Sequence, residues 1–181
     1  MNDPGFPAWA QMTDARREHV RRVAALLSEW AERARIPGDE RQRWLVAAYL
    51  HDAVKDAAPQ WLRSHSDDTW AMDALHHGPA AATLAAQHGE TDAGILDAVR
   101  YHSIGYSGWD RVGEMLYLSD FLEPGRPAVQ SWIPDVRERV PDGPRSALRR
   151  VAKVRVGFLV QAGLPLFAET VAFWNRLWSD A

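Results

Sequence analysis

Tyr49-Leu50-His51-Asp52-Ala53-Val54-Lys55 closes an apolar stripe made by Trp44, Ala47 and Ala48, and that spacing makes it the inner face of a helix. An imidazole and a carboxylate aimed into a core carry a desolvation cost that apolar neighbours cannot offset, so the pair needs hydrogen-bond partners or a metal ion. Alone, a His-Asp dipeptide is more often a hydrogen-bonded pair than a metal site. Its company changes that balance. Arg16-Arg17-Glu18-His19 lies upstream, and His77-Gly78-Pro79, Tyr101-His102 and Ser119-Asp120 lie downstream, each at or near the end of an apolar helical pattern.

The 181 residues fit one domain with room for a core. Residues 1–12, rich in Pro, Gly and small side chains, read as an extended lead-in, and residues 13–181 as the folded body. The net charge of -3 does not favour a sequence-independent nucleic-acid binder, which carries a basic excess. Cysteine is absent, so thiol nucleophiles, cysteine zinc sites and iron-sulfur clusters are excluded. His, Asp and Glu remain as ligands, a set that suits iron, manganese, cobalt or zinc. The start of the chain has neither a basic segment nor an apolar run, and no stretch has the length of a membrane span, so the expectation is a cytoplasmic protein without a membrane partner.

The fold expected is all-α, a single-domain helical bundle. Val20, Val23, Ala24, Leu27, Trp30, Ala31 and Ala34 recur at three and four residues, which predicts a first helix ending at Pro37-Gly38. Asp39 is expected to cap a second helix over about 40–56. One or two short helices fall in 59–76, and further helices over about 79–89, 92–102 and 109–122. Four prolines make 124–143 a connector with one short helix, and closing helices over about 144–162 and 165–179 open on Pro144 and Pro165. No segment shows the period-two alternation of a half-buried strand.

If these helices pack together, His19, His51, Asp52 and Asp120 supply two imidazoles and two carboxylates to one metal ion in a bundle core. His77 and His102 are left over, and a second ion could share Asp52 as a bridging carboxylate. Two ions roughly 3.5–4 Å apart would hold a bridging hydroxide for in-line attack on phosphorus, which points to hydrolysis of a phosphate ester or anhydride. The alternative is one ion, with His77 and His102 as ligands for substrate.

The order His19, His51-Asp52, Asp120 resembles the HD superfamily of metal-dependent phosphohydrolases. More narrowly, Arg16-x-x-His19, Leu50-His51-Asp52-x-x-Lys55, His77-Gly78-Pro79, Arg100-Tyr101-His102-Ser103 and Ser119-Asp120-Phe121-Leu122-Glu123-Pro124-Gly125-Arg126 are similar to the bacterial YqeK-type diadenosine tetraphosphatases, over about residues 13–130. The resemblance implies an HD-domain fold, a di-iron centre for which manganese or cobalt could substitute, and symmetrical cleavage of a dinucleoside polyphosphate to two ADP. It implies His19, His51, Asp52 and Asp120 on one ion and Asp52, His77 and His102 on the other. Lys55 and Arg126 would face phosphate oxygens, with Arg16 and Glu123 in support. One departure stands out. After the fourth-motif histidine the family pattern is His-Thr-Thr-Gly-Arg-like, whereas this chain has His102-Ser103-Ile104-Gly105-Tyr106 and so lacks a basic residue there.

Other readings stay open. The same scaffold serves nucleotidases and phosphodiesterases, or a non-catalytic nucleotide-binding module. His76 adjoins His77, but the Gly78-Pro79 helix start favours His77. Lys55 could instead be a snorkelling surface lysine. Most of the nine tryptophans fall at core spacing, while Tyr106 and Trp109, beside the Ser103 loop, are candidates to stack on a nucleobase. Arg145, Arg149, Arg150, Lys153 and Arg155 read as a solvated helix face rather than a partner surface. A homodimer is possible.

Overall fold

The three-and-four spacing of the first apolar set produces α1 (Asp14–Arg33), whose buried face is Val20, Val23, Ala24, Leu26, Leu27, Trp30 and Ala31, with His19 buried at its start. Thr13 caps the helix through its hydroxyl, which accepts from the Arg16 N–H at 3.3 Å. The computed structural model describes residues 5–68, 70, 72–125 and 131–179. Among these all regular structure is helical, as expected.

After α1 come α2 (Gly38–His51), α3 (Pro59–His65), a 3₁₀ turn at Asp73–Leu75, α4 (His77–Gln87), α5 (Ala93–Tyr101), α6 (Arg111–Leu122), α7 (Ile133–Arg139), α8 (Pro144–Gln161) and α9 (Ala168–Ser179). The second helix, α2, is central: it packs on α1, α4, α5 and α6, so its last turn, Ala47 through His51, is buried all round. Helix α4 is rich in alanine and lies close against α5. At their contact Gly78 is indispensable, because a Cβ there would sit 2.6 Å from the Arg100 carbonyl oxygen and 2.9 Å from that of Val99. Helix α8 covers α6 and α7, and α9 packs on α8. No helix is long and apolar enough to cross a membrane, among the described residues.

Several boundaries differ from the expected ones. Helix α2 starts at Gly38 with Pro37 in the cap position and no side-chain cap, so Asp39 sits within the first turn instead of capping it. There its charge still complements the helix dipole. More consequentially, α2 stops at His51 rather than near Asp56. The chain continues as tight turns, with Ala53 N–H donating to Leu50, Lys55 N–H to Asp52 and Ala57 N–H to Val54. Tertiary partners hold the turns: the Ala53 carbonyl accepts from Gln11 N–H at 2.8 Å, and Asp56 accepts from both the N–H and the hydroxyl of Thr13 at 2.8 Å. Helix α6 begins after Asp110, whose carboxylate accepts from Val112 N–H, so Trp109 precedes the helix. Helix α9 begins at Ala168, leaving Pro165 in the connection.

Candidate metal centre

Four histidines converge from different elements, and their tautomers are set by what each Nδ1 touches. His51 Nδ1 lies 2.7 Å from the Ala48 carbonyl oxygen, His77 Nδ1 2.7 Å from that of Ala74 and His102 Nδ1 2.7 Å from that of Val99. A carbonyl only accepts, so each Nδ1 carries the proton and each Nε2 presents a lone pair. The shared i−3 spacing follows from position: His51 and His102 stand at the C-terminal ends of α2 and α5, and Ala74 lies in the short 3₁₀ turn that precedes His77, so each carbonyl runs short of main-chain donors. His19 sits inside α1 and reaches the same state differently, its Nδ1 facing Glu123 Oε1 at 3.1 Å.

The lone pairs and carboxylates form two groups. His19, His51 and Asp120 make one and Asp52, His77 and His102 the other, all buried, with the candidate ligand atoms of each group within 4.8 Å of one another. Asp52 lies between them. Its Oδ2 is 3.8 Å from His19 Nε2 and 3.7 Å from His51 Nε2, while its Oδ1 is 3.2 Å from His77 Nε2 and 3.5 Å from His102 Nε2. The end of α2 at His51 makes this possible, because Asp52 adopts φ -111° and ψ 16° and leaves the helical course. In a continued helix the two side chains would point about 100° apart.

The donor set fits cations. His51 Nε2 and His19 Nε2 are buried and make no hydrogen bond, a costly state for an acceptor with nothing to accept from. His77 Nε2 faces His102 Nε2 at 3.0 Å, and with both Nδ1 protons assigned outward two lone pairs oppose each other there. A cation between them turns that repulsion into coordination. Burial pushes the pKa of His51 and of His77 down to about 4, so both are neutral near pH 7, the state a ligand requires. Burial opposes ionisation of Asp52, yet its carboxyl is held well below the usual carboxylate range. Arg16 Nη1, 2.7 Å from Asp52 Oδ2, adds a permanent countercharge.

The remaining predicted residues distribute unevenly. Glu123 is buried and accepts from Arg22 Nε at 2.7 Å as well as facing His19. Lys55 Nζ donates to the Ala74 carbonyl at 3.3 Å and lies 3.0 Å from His77 Nδ1, so it belongs to the rim of the cluster and is not a free surface lysine. Ser103 Oγ is 3.1 Å from His102 Nε2. Tyr106 is half-buried and stacks on Tyr101, ring centroids 4.3 Å apart. Trp109 departs from expectation: it is buried against Tyr117 and Phe173, and its indole N–H donates to the Asp97 carbonyl at 3.0 Å, so it has no free face for a base. His76 bonds to Ser66 and the Trp70 carbonyl, away from the cluster. Arg126 lies outside the described residues. Arg22 was not singled out, and Arg155 was read only as part of a solvated helix face, since an arginine in a charged run carries no distinguishing pattern. Arg155 Nη1 is nevertheless 3.6 Å from Asp120 Oδ2.

Comparison with known proteins agrees with this geometry. The HD domain model matches residues 16–139. The chain is 29% identical to a symmetrical bis(5'-nucleosyl)-tetraphosphatase of Bacillus subtilis over 94% of each chain. It is 24% identical to one of Halalkalibacterium halodurans, covering 92% of this chain and 90% of that one. A solved structure from Clostridium acetobutylicum, described as a predicted HD superfamily hydrolase involved in NAD metabolism, superposes with a TM-score of 0.81 at 20% identity, over 94% of this chain and 92% of that one. The family match spans well over half of the sequence and includes every residue of the two clusters, and the chain belongs to the HD domain family.

Proposed function

We propose that this protein is a dinuclear metal hydrolase that cleaves diadenosine tetraphosphate symmetrically to two ADP. The observation that carries the dinuclear reading is Asp52, whose Oδ1 faces the two histidines of its own triad and whose Oδ2 faces the two histidines of the other. The tetraphosphatase names of relatives matched over about nine-tenths of the chain support the substrate.

His19, His51, Asp52 and Asp120 would hold one divalent ion and Asp52, His77 and His102 the other, with iron the first choice and manganese or cobalt as substitutes. Bound there, the pair would supply a nucleophilic hydroxide and neutralise charge on the attacked phosphoryl group. Water's oxygen joins one inner phosphorus, the central P–O–P bond breaks, and the second ADP leaves with the bridging oxygen. That leaving group is weakly basic and needs little help from a general acid.

The chain's own residues do the positioning. The Ala48, Ala74 and Val99 carbonyls and Glu123 keep the four Nδ1 protons turned away from the centre, so no rotamer search precedes binding. Arg16 holds Asp52 in place. Lys55, on the rim beside His77, meets phosphate oxygens that arrive with several negative charges. Ser103, beside His102, can donate its hydroxyl to the same oxygens.

The deciding experiment incubates the protein with the dinucleotide and iron(II), manganese or cobalt, and resolves the products. Two ADP per substrate and two metal ions per chain are expected. ATP plus AMP, or no turnover with any of these ions, overturns the assignment. Tyr106 at a position where the family pattern has a basic residue favours a second reading, another nucleotide phosphate as the preferred substrate, and turnover across a panel of nucleotides separates the two.

Glu123→Gln tests the positioning role. The amide can still accept from His19 but lends no charge, so the affinity of the His19 site for manganese is expected to fall about 10-fold or more. Metal titration reads this directly, and an unchanged affinity would remove Glu123 from the site's support.

A further inference from the structure

The basic run of α8 does not behave as one face. Arg149 donates to the Leu177 carbonyl and Arg150 lies over the Trp132 ring. Arg155 turns inward. Its Nη2 donates to the Ser103 carbonyl at 2.8 Å, its Nη1 is 3.6 Å from Asp120 Oδ2, and its guanidinium lies 4.7 Å above the Tyr117 ring. Three contacts therefore fix a permanent positive charge beside both triads, since Asp120 belongs to one and Ser103 directly follows His102, a member of the other.

We propose that Arg155 is a phosphate-binding residue of the centre, supplied from outside the segment that matches the HD domain. This rests on the phosphohydrolase reading above. A guanidinium has five N–H donors, and the Ser103 and Asp120 contacts leave several of them unused. The side chain is still 23% exposed. With cations on both triads the aspartates are neutralised, and Arg16, Lys55 and Arg155 form an excess of positive charge. The non-bridging oxygens of a polyphosphate offset that excess, and the planar fork of Arg155 suits them better than a lysine would. Because the same guanidinium grips the Ser103 carbonyl, phosphate binding and the position of the His102 loop are linked through one side chain.

The test measures binding of ADP to the manganese-loaded protein by calorimetry, for wild type, Arg155→Lys and Arg155→Gln. Loss of a charged hydrogen bond is worth roughly a 10- to 100-fold weaker Kd for the Gln variant, with Lys recovering part of it. Metal content is expected to stay at the wild-type value. For the dinucleotide, KM should rise more than kcat falls. Thr170→Val removes a different clamp on the same loop, the hydroxyl bond to the Ile104 carbonyl, without touching charge, and should leave the Kd for ADP unchanged. Equal weakening by Thr170→Val and Arg155→Gln would make Arg155 a structural brace and overturn the proposal. So would a wild-type Kd in Arg155→Gln, or a wild-type protein that does not bind ADP. A protein that binds ADP through Arg155 yet leaves the dinucleotide intact would sustain this proposal while the substrate assignment failed.

Discussion

Asp52→Ala is expected to abolish turnover and to drop bound metal from two ions per chain to less than one. Asp52 belongs to one triad and turns its other oxygen towards the histidines of the other, so its loss removes a ligand from each site at once. The chemistry loses charge stabilisation worth several kcal/mol, which at about 1.4 kcal/mol per decade is a fall of 10³-fold or more in kcat. The fold should survive, because the helices are held by the apolar core and Arg16, freed from Asp52, remains partly exposed. Thermal unfolding with and without manganese provides an independent readout. In the wild type, metal at a hundred times Kd adds about 2.7 kcal/mol per site, roughly 5–10 °C in Tm for a chain of this length. In Asp52→Ala that gain should vanish. Turnover within 10-fold of wild type would rule out the bridging role.

Gly78→Ala should act on only half of the centre. The added methyl would meet the carbonyl oxygens of Arg100 at 2.6 Å and Val99 at 2.9 Å, both main-chain atoms that cannot rotate away. Helix α4 must then shift from α5 at a cost of about 1–3 kcal/mol of overpacking, a fall of roughly 2–12 °C in Tm. The displaced groups are specific ones. The Val99 carbonyl fixes the His102 tautomer, and Gly78 adjoins His77, so the His77–His102 pair opens. The expected protein holds one ion, on His19, His51, Asp52 and Asp120, and is close to inactive. Gly157→Ala, in α8 with nothing within 4 Å of the new methyl, is the control and should be neutral or stabilising by up to about 1 kcal/mol. Wild-type Tm and two ions in Gly78→Ala would refute the argument from close helix approach.

Much of this architecture was legible before any coordinates. The α1 face from Val20 to Ala31 emerged buried because a helix repeats every 3.6 residues and the core selects one side of it. His19, His51, Asp52, His77, His102 and Asp120 were identifiable because buried titratable groups at the ends of apolar patterns need an explanation that apolar neighbours do not provide. They do converge. Trp109 was misjudged, since proximity in sequence to the Ser103 loop says nothing about which side of the loop a ring packs on.

The sequence by itself determined the helices, the buried faces and the chemical identity of the six convergent side chains, because periodicity and residue type are local properties. Only the tertiary structure decided where α2 ends, since the bonds from Gln11 and Thr13 that hold the turn at Asp52–Asp56 come from some forty residues away. It alone set the tautomer of His19, through Glu123 just past the end of α6. It also brought Arg155 from α8 to Asp120 and Ser103, a contact between residues far apart in the chain that no local pattern encodes.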